Sequence, residues 1–256
     1  MDILIFILGA TLGSFLAMLS YRLPLSISLV NPKRSFCPNC NYQIKWYENI
    51  PIVSYLFLKA RCSSCGIKIS IIYLIVELIS GVIALVLYWK FSLSFDFWIT
   101  LGVFYLLLLL SFIDLKYKAV PDYLLILVVT VSFFVYDFSL LFALAFGGGF
   151  ALLELFVTFY IQNIKAKILK DDTLKEQRAM GEGDIPIAAV IGGVLGLKLG
   201  LFAIFTAALL AIIPALYSNI FKKDIETPFI PYLSLGLFIT YIYQENITIF
   251  LTGVLK

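Results

Sequence analysis

The sequence predicts an all-α polytopic membrane protein of about eight transmembrane helices, with a small cytoplasmic insert that resembles a four-cysteine zinc ribbon. Of the 256 residues, 62% are hydrophobic and only 14% are charged. Apolar runs of about 20 residues, the length that crosses a bilayer's hydrocarbon core, recur along the chain. The period-2 alternation of a β-barrel is absent, and backbone groups in lipid must be paired within their own segment, so we expect these runs to be helices.

The apolar runs set the predicted organisation of the chain. The first helix occupies residues 1–21, the polar insert with its cysteines occupies 22–70, and the rest of the membrane core occupies 71–256. The individual spans are predicted near residues 2–21, 71–89, 96–113, 123–137, 139–161, 185–198, 199–219 and 229–243.

The positive charges predict the orientation. With eight spans, all of the 19 lysines and arginines except Lys90, Lys198 and Lys256 fall on the same set of loops. Cytoplasmic loops are enriched in Lys and Arg, so we expect this side to be cytoplasmic and both termini to lie outside. Met1-Asp2 offers no basic region ahead of the first span, so that span is predicted to be retained. The net charge of +3 gives no reason to expect a nucleic-acid partner.

The chain contains no histidine. Its absence excludes Ser-His-Asp and Cys-His catalysis, HExxH metal chemistry and any histidine-ligated zinc. Cysteines and carboxylates are therefore the main candidates for chemistry.

All four cysteines lie in the insert as two Cys-x2-Cys pairs, Cys37 with Cys40 and Cys62 with Cys65. A doubled pair separated by about 20 residues is typical of a structural zinc site with no open coordination position. Two disulfides are the main alternative, disfavoured in a reducing cytoplasm, and a redox Cys-x-x-Cys pair is another. The apolar run of residues 50–58 between the pairs is too short to span and is predicted to be interfacial or re-entrant.

Two aspartates are candidates for a catalytic pair. Asp114 ends the third span, and Asp184 follows Gly181-Glu182-Gly183 immediately before the sixth, so the topology predicts both at one membrane face. Neighbouring carboxyl groups share a proton, so that one acts as a base on water while the other protonates a leaving amine. The alternative is that each aspartate only caps or solvates a helix end.

Other acidic residues are weaker candidates. Asp122 follows Pro121 at a helix start, where an aspartate commonly has a structural role. Three short motifs together resemble those of presenilin-like proteases, namely Tyr136-Asp137, Gly181–Asp184 and Pro214-Ala215-Leu216. The topology, however, places Asp137 about 30 Å from Asp184. Glu77 and Glu154 are predicted to be either polar contacts between helices or parts of a substrate groove.

Several motifs in order resemble the bacterial type IV prepilin peptidases. They are Gly13-Ser14-Phe15-Leu16 with Tyr21-Arg22-Leu23-Pro24, both cysteine pairs, Asn49-Ile50-Pro51, Ser54-Tyr55-Leu56, the stretch from Tyr73 to Glu77, Asp114 with Pro121-Asp122, and Gly181 to Asp184. Ala17 and Pro186 depart from the family's usual pattern, and neither is one of the two aspartates.

The resemblance implies a membrane aspartic endopeptidase of the bacterial inner membrane, with Asp114 and Asp184 as its catalytic pair. Such an enzyme removes the short basic leader of prepilins and pseudopilins at the cytoplasmic face. Many members of the family also methylate the new N-terminus with S-adenosylmethionine. Two other functions stay open, a presenilin-like protease that would depend on Asp137 and a non-catalytic assembly factor for pili or secretion. A transporter is disfavoured, because neither midplane acids nor related halves are found.

Overall fold

The computed structural model describes residues 1–30, 34–169, 181–217 and 227–254. The chain divides into two compact units, Met1–Leu109 and Leu110–Lys256. The helices are α1 (Asp2–Arg22), α2 (Val53–Phe57), α3 (Ile71–Phe91), α4 (Phe95–Tyr117), α5 (Asp122–Ser132), α6 (Leu140–Phe159), α7 (Ala166–Leu169), α8 (Asp184–Tyr217), α9 (Ile230–Ile242) and α10 (Gln244–Val254). A 3₁₀ turn, Trp46–Asn49, precedes α2, and a π-helical turn, Tyr160–Lys165, joins α6 to α7.

The all-α polytopic fold class is confirmed. Within the described residues, five helical segments are long and apolar enough to cross a membrane: α1, α3, α4, the run Leu140–Ile168 and α8. Helices α5 and α9 are apolar but shorter. The protein is therefore a multi-pass membrane protein.

Breaks in the helices decide where three of the predicted spans end. The runs predicted at 185–198 and 199–219 are two helical stretches of α8 that meet at a kink at Gly196, which has φ 70° and ψ −169°. Glycine adopts this conformation without the steric penalty of a Cβ, so the break falls there. The span predicted at 123–137 ends early, because α5 stops at Ser132 and the chain turns through Asp137, whose φ is 58°.

Close helix packing organises the first unit, where α1 packs against α3. A Cβ on Gly9 would lie 2.6 Å from the Cβ of Ala84, and one on Gly13 would lie 2.6 Å from Oγ of Ser80. Small residues let membrane helices approach closely, since packing rather than water exclusion holds them together. The Tyr105 hydroxyl of α4 lies 3.2 Å from the Gly9 carbonyl oxygen and 2.9 Å from that of Ser80, which ties α4 to this contact.

In the second unit, α8 packs against α5, α6 and α9. A Cβ on Gly192 would lie 2.5 Å from the Phe142 carbonyl oxygen and 2.6 Å from the Phe146 ring. Only a residue without a side chain fits at this contact. The unit therefore depends on the close approach of α6 to α8, whose first residue is Asp184.

Some sequence predictions lie outside the described residues. They concern residues 170–180, residues 218–226 and the C-terminal Lys256. The predicted domain boundaries at residues 21 and 70 and the placement of residues 50–58 at the membrane interface stay predictions.

We predict that Gly192→Ala destabilises the protein by about 1–3 kcal/mol, because the added methyl overpacks against a backbone carbonyl that has little room to move. Gly149→Ala is the matched control, since a Cβ at Gly149 in α6 meets nothing within 4 Å. The control gains helix propensity of up to about 1 kcal/mol. Thermal unfolding in detergent should show a lower midpoint for Gly192→Ala and an equal or higher one for Gly149→Ala. Equal midpoints for the two variants would contradict this account of the α6–α8 contact.

Candidate metal centre and carboxyl pair

The insert contains two turns of the same construction. In the first, the Cys37 N–H donates to the Tyr42 carbonyl and the Asn41 N–H donates to the Cys37 carbonyl, each at 2.9 Å. In the second, the Cys62 N–H donates to the Ile67 carbonyl and the Gly66 N–H donates to the Cys62 carbonyl, also at 2.9 Å each. Asn41 and Gly66 have φ of 55° and 72°, which reverses the chain directly after each Cys-x2-Cys pair. Each turn thus presents both of its thiols to one point.

The four sulfur atoms converge. All four Sγ atoms lie within 4.8 Å of one another, with 3.9 Å between Cys37 and Cys65 and 4.0 Å between Cys40 and Cys62. A disulfide needs about 2.05 Å between sulfurs, and all four cysteines are free. A tetrahedral ion with metal–sulfur bonds of 2.3 Å needs sulfurs about 3.8 Å apart. The cluster therefore fits a metal ion, as the cysteine spacing predicted.

Local hydrogen bonds favour the thiolate, the form that binds metal, at Cys65. At Cys40, despite a hydrogen bond from the Tyr42 backbone, desolvation and the other three thiols raise the pKa to about 11. The Ile67 N–H, helped by the Asn39 side-chain amide, lowers the pKa of the Cys65 thiol to about 6. A low thiol pKa makes Cys65 anionic at neutral pH even before a cation arrives.

Glu48 connects the two turns and was not identified from the sequence. Its Oε2 accepts hydrogen bonds from the Lys45 N–H at 2.9 Å and from the Tyr42 hydroxyl at 3.2 Å. A hydrogen bond from Ser63, which lies between the cysteines of the second turn, is the main cause of the lowered pKa of Glu48. The only sequence signal for this residue is the spacing of Lys45 and Glu48, which form a capping box around the 3₁₀ turn.

Asp114 lies in the last turn of α4 and is 7% exposed. Its Oδ2 accepts a hydrogen bond from the Ile230 N–H at 3.3 Å. Ile230 begins α9, and the first N–H groups of a helix have no partner within the helix. The start of α9 thus supplies the donor that a buried carboxylate needs.

Asp184 begins α8 and is 5% exposed. Its N–H donates to the Gly181 carbonyl at 3.1 Å, which closes the turn Gly181–Asp184. Gly183 has no space for a side chain, because a Cβ there would lie 2.8 Å from Cγ2 of Val120 and 3.0 Å from Cδ1 of Ile230. The glycine lets the backbone pass close to these residues before α8 begins.

Ile230 brings the two aspartates together. Its N–H binds the Asp114 carboxyl, and its side chain lies against Gly183, next to Asp184. The Asp114 and Asp184 carboxyl groups interact electrostatically, and both are buried. Carboxyl groups that interact in this way are able to hold one proton between them. Ile230 itself was not identified from the sequence, and only the prolines on both sides, Pro228 and Pro231, mark a helix start there.

The other candidate acids have other surroundings. Phe138 packs on Gly193, nine residues into α8, so Asp137 lies about 14 Å along the helix from Asp184. The predicted separation of a full bilayer thickness is too large, because the chain leaves α5 at Ser132 and the Ser139 N–H already donates to the Gly193 carbonyl at 2.8 Å. Asp122 is in the first turn of α5 and is exposed, and Glu154 lies 3.4 Å from the Thr158 hydroxyl. Glu77 accepts a hydrogen bond from the Ile52 N–H at 2.7 Å.

These features define a multi-pass membrane protein with a four-cysteine cluster in one unit and a buried aspartate pair in the other. The model of the bacterial peptidase A24 N-terminal domain matches residues 7–91, and that of the type IV leader peptidase family matches residues 101–216. The chain belongs to the type IV leader peptidase family.

Curated relatives extend this match over most of the chain. A prepilin leader peptidase/N-methyltransferase of Vibrio cholerae is 32% identical over 85% of this chain and 87% of that relative. Proteins with the same name from Bacillus subtilis and Pseudomonas aeruginosa are each 29% identical, and they cover 96% and 94% of this chain and 96% and 90% of their own lengths. No solved structure is significantly similar to the chain.

We predict that the metal-stripped protein binds one Co²⁺ per chain with the absorption bands of tetrahedral thiolate coordination, because four sulfurs already surround one point. Cys65→Ser should weaken binding strongly and alter the thiolate-to-metal charge-transfer band. Ser64→Ala, a change at the neighbouring non-ligand position, should leave the spectrum unchanged. Octahedral bands in the wild type, or an unaltered spectrum for Cys65→Ser, would contradict a four-thiolate centre.

Proposed function

We propose that this protein is a membrane aspartic endopeptidase that removes the short basic leader from prepilins and pseudopilins, with Asp114 and Asp184 as its catalytic residues. The observation that carries the proposal is the buried carboxyl pair joined through Ile230. Membership of the leader peptidase family and the printed names of the relatives support the substrate class.

The proposed reaction uses the two carboxyl groups in different protonation states. The ionised carboxyl removes a proton from a water molecule, whose oxygen attacks the carbonyl carbon of the scissile peptide bond. The protonated carboxyl gives its proton to the leaving amine as the carbon–nitrogen bond breaks. The products are a leader with a free carboxylate and a pilin with a new N-terminus, and the pair again holds one proton.

The helix ends assist this proton sharing. Asp184 lies at the N-terminus of α8, and Asp114 binds an N–H at the N-terminus of α9. The positive end of a helix dipole stabilises negative charge, so one carboxyl can stay ionised although both are buried. Water and the polar leader would reach the pair from the cytoplasmic ends of these helices.

The proposed location is the bacterial inner membrane, with the carboxyl pair facing the cytoplasm. The distribution of lysines and arginines over the loops supports this orientation. A pilin whose apolar helix lies in the bilayer would then carry its leader on the same side as the pair.

We further propose that the protein methylates the new N-terminus with S-adenosylmethionine, as the names of its relatives indicate for those proteins. The cofactor supplies an electrophilic methyl group. The amine released by cleavage is the nucleophile that accepts it.

For the four cysteines we propose a structural zinc ion. Zinc prefers thiolates in tetrahedral geometry, and with Cys37, Cys40, Cys62 and Cys65 as ligands it has no open position for catalysis.

Cleavage of a purified prepilin by the detergent-solubilised protein, followed by mass spectrometry, tests the peptidase. We expect Asp114→Asn and Asp184→Asn each to reduce the cleavage rate by about 10²–10⁴-fold or more, because each removes a proton-transfer group. Asp122→Asn and Asp137→Asn are the matched controls and should cut at close to the wild-type rate.

The outcomes separate the alternatives. If Asp137→Asn is inactive and Asp114→Asn cuts normally, the presenilin-like protease replaces our proposal. If the wild type cuts no prepilin under conditions in which a relative does, the non-catalytic assembly factor replaces it.

The zinc proposal predicts one zinc ion per chain by elemental analysis of the purified protein. Its removal by a chelator should lower the unfolding temperature, since metal binding is coupled to folding of the insert. Re-addition of Zn²⁺ should restore that temperature in the wild type but not in Cys37→Ser. Co-purification of iron in place of zinc would contradict the proposed metal.

A further inference from the structure

Four charged side chains are buried among the described residues, and the carboxyl pair accounts for two of them. The other two, Arg22 and Glu77, lie in the first unit and are 3% and 8% exposed. Burial of a charge in a membrane protein is costly and usually has a function. The proposed peptidase reaction uses neither residue.

Arg22 holds the chain that enters the insert. Its guanidinium Nη1 donates to the Ser28 carbonyl at 2.9 Å, and Nη2 donates to the Arg34 carbonyl at 3.0 Å. The guanidinium also lies 5.5 Å from the centre of the Phe36 ring. The planar fork of arginine suits several fixed acceptors, so residues 34–36 are held firmly in place.

Glu77 holds a second, strained segment of the insert. Ile52 has φ 64° and ψ −51°, and the Val53 N–H donates to the Pro51 carbonyl at 2.6 Å, which is a γ-turn of the rare, strained form. The Glu77 carboxyl accepts the Ile52 N–H at 2.7 Å and also interacts with the Ser14 hydroxyl. Strained backbone of this kind persists where the surroundings enforce it, and it is concentrated at functional sites.

The two held segments form one side of a cleft of about 260 Å³ in the first unit. Ser35 follows Arg34, whose carbonyl Arg22 binds. Pro51 precedes Ile52, whose N–H Glu77 binds. Asn49 lies between Ser35 and Pro51 in the sequence of the insert. The opposite side is α1, with Ser14, Phe15 and Met18. Both buried charges therefore fix the walls of the same cleft, although neither lines it.

The lining selects the chemistry of a ligand. Among the described residues it combines hydroxyl groups, one carboxamide, an aromatic ring and a thioether, and none of these lining side chains is charged. An uncharged lining gives no counter-charge to a basic leader peptide. A few neutral polar groups on apolar walls are typical of small-molecule sites, and this volume is slightly below their usual range, which suits part of a ligand.

We propose that this cleft binds the nucleoside part of the methyl donor. The Asn49 carboxamide matches the donor and acceptor edge of adenine, and Phe15 provides an aromatic surface for the flat base. The Ser14 and Ser35 hydroxyls match the ribose hydroxyls in hydrogen-bonding character. The proposal rests on the methyl-transfer half of the proposed function and is independent of the peptidase half.

Glu77 is then a positioning residue for the donor site. Without its carboxyl, the Ile52 turn loses the acceptor that holds it and relaxes, which moves Pro51 and Asn49. Glycine adopts positive φ without strain, so a glycine at position 52 keeps the turn even when Glu77 is absent. Comparison of Glu77→Ala with the double variant that also carries Ile52→Gly therefore distinguishes a positioning role of Glu77 from a general loss of stability.

The test is direct binding of S-adenosylmethionine and of adenosine to the full-length protein in nanodiscs, measured by calorimetry. We expect Asn49→Ala to weaken binding of both by about ten-fold or more, as loss of a two-point base contact does. Asn246→Ala, at an exposed asparagine of α10, is the matched control and should bind as the wild type does. Glu77→Ala should bind more weakly than wild type, and Ile52→Gly added to Glu77→Ala should recover most of the affinity.

The outcomes distinguish this inference from the functions on which it builds. If Asn49→Ala binds the donor as the wild type does while cleaved pilin still gains a methyl group, the donor binds elsewhere and only this inference is overturned. If the wild type binds no donor and adds no methyl group, both the cleft assignment and the methyl-transfer proposal are overturned. Prepilin cleavage by the same preparations, compared with Asp114→Asn, reports separately on the peptidase.

Discussion

The Ile230 N–H, donated to the Asp114 carboxyl, is the contact around which the second unit is arranged. A carboxylate buried in a membrane protein needs donors, and most backbone N–H groups there are already used within helices. The first turn of a helix is the exception, because its N–H groups have no partner within the helix. The end of α4 therefore meets the start of α9, and Gly183 lets the turn before α8 reach the same residue. The proximity of Asp114 and Asp184 follows from these two contacts.

The same principle governs the first unit. Arg22 binds backbone carbonyls and Glu77 binds a backbone N–H, in each case in the non-helical insert. Irregular backbone has polar groups that no helix or sheet pairs, and a buried charge needs polar partners. The two buried charges and the backbone of the insert therefore satisfy each other's hydrogen-bonding requirements. The consequence is a cleft whose walls are held in place before any ligand binds. Such preorganisation reduces the entropy lost on binding, which favours a defined small-molecule site.

The sequence predicted the features that depend on local patterns. Apolar runs of membrane length predicted the long helices, and the doubled Cys-x2-Cys spacing predicted the convergence of Cys37, Cys40, Cys62 and Cys65. The shorter elements were less predictable. Residues 133–137 are apolar enough to extend α5, yet the chain leaves the helix at Ser132 and turns beside α8. The distance from Asp137 to Asp184 was therefore overestimated, since it assumed that helix α5 continues to Asp137.

By itself, the sequence determined that this chain is a helical membrane protein with a four-thiol cluster and two aspartates at helix ends, because hydropathy and ligand spacing are properties of neighbouring residues. Only the tertiary structure decided which groups meet these side chains. Ile230 is 116 residues from Asp114, and Ile52 is 25 residues from Glu77. No local pattern specifies such partners, because an N–H at a helix start or in a strained turn is identical in every residue other than proline. Such an N–H group matters for the site only because the fold brings a buried carboxyl group next to it.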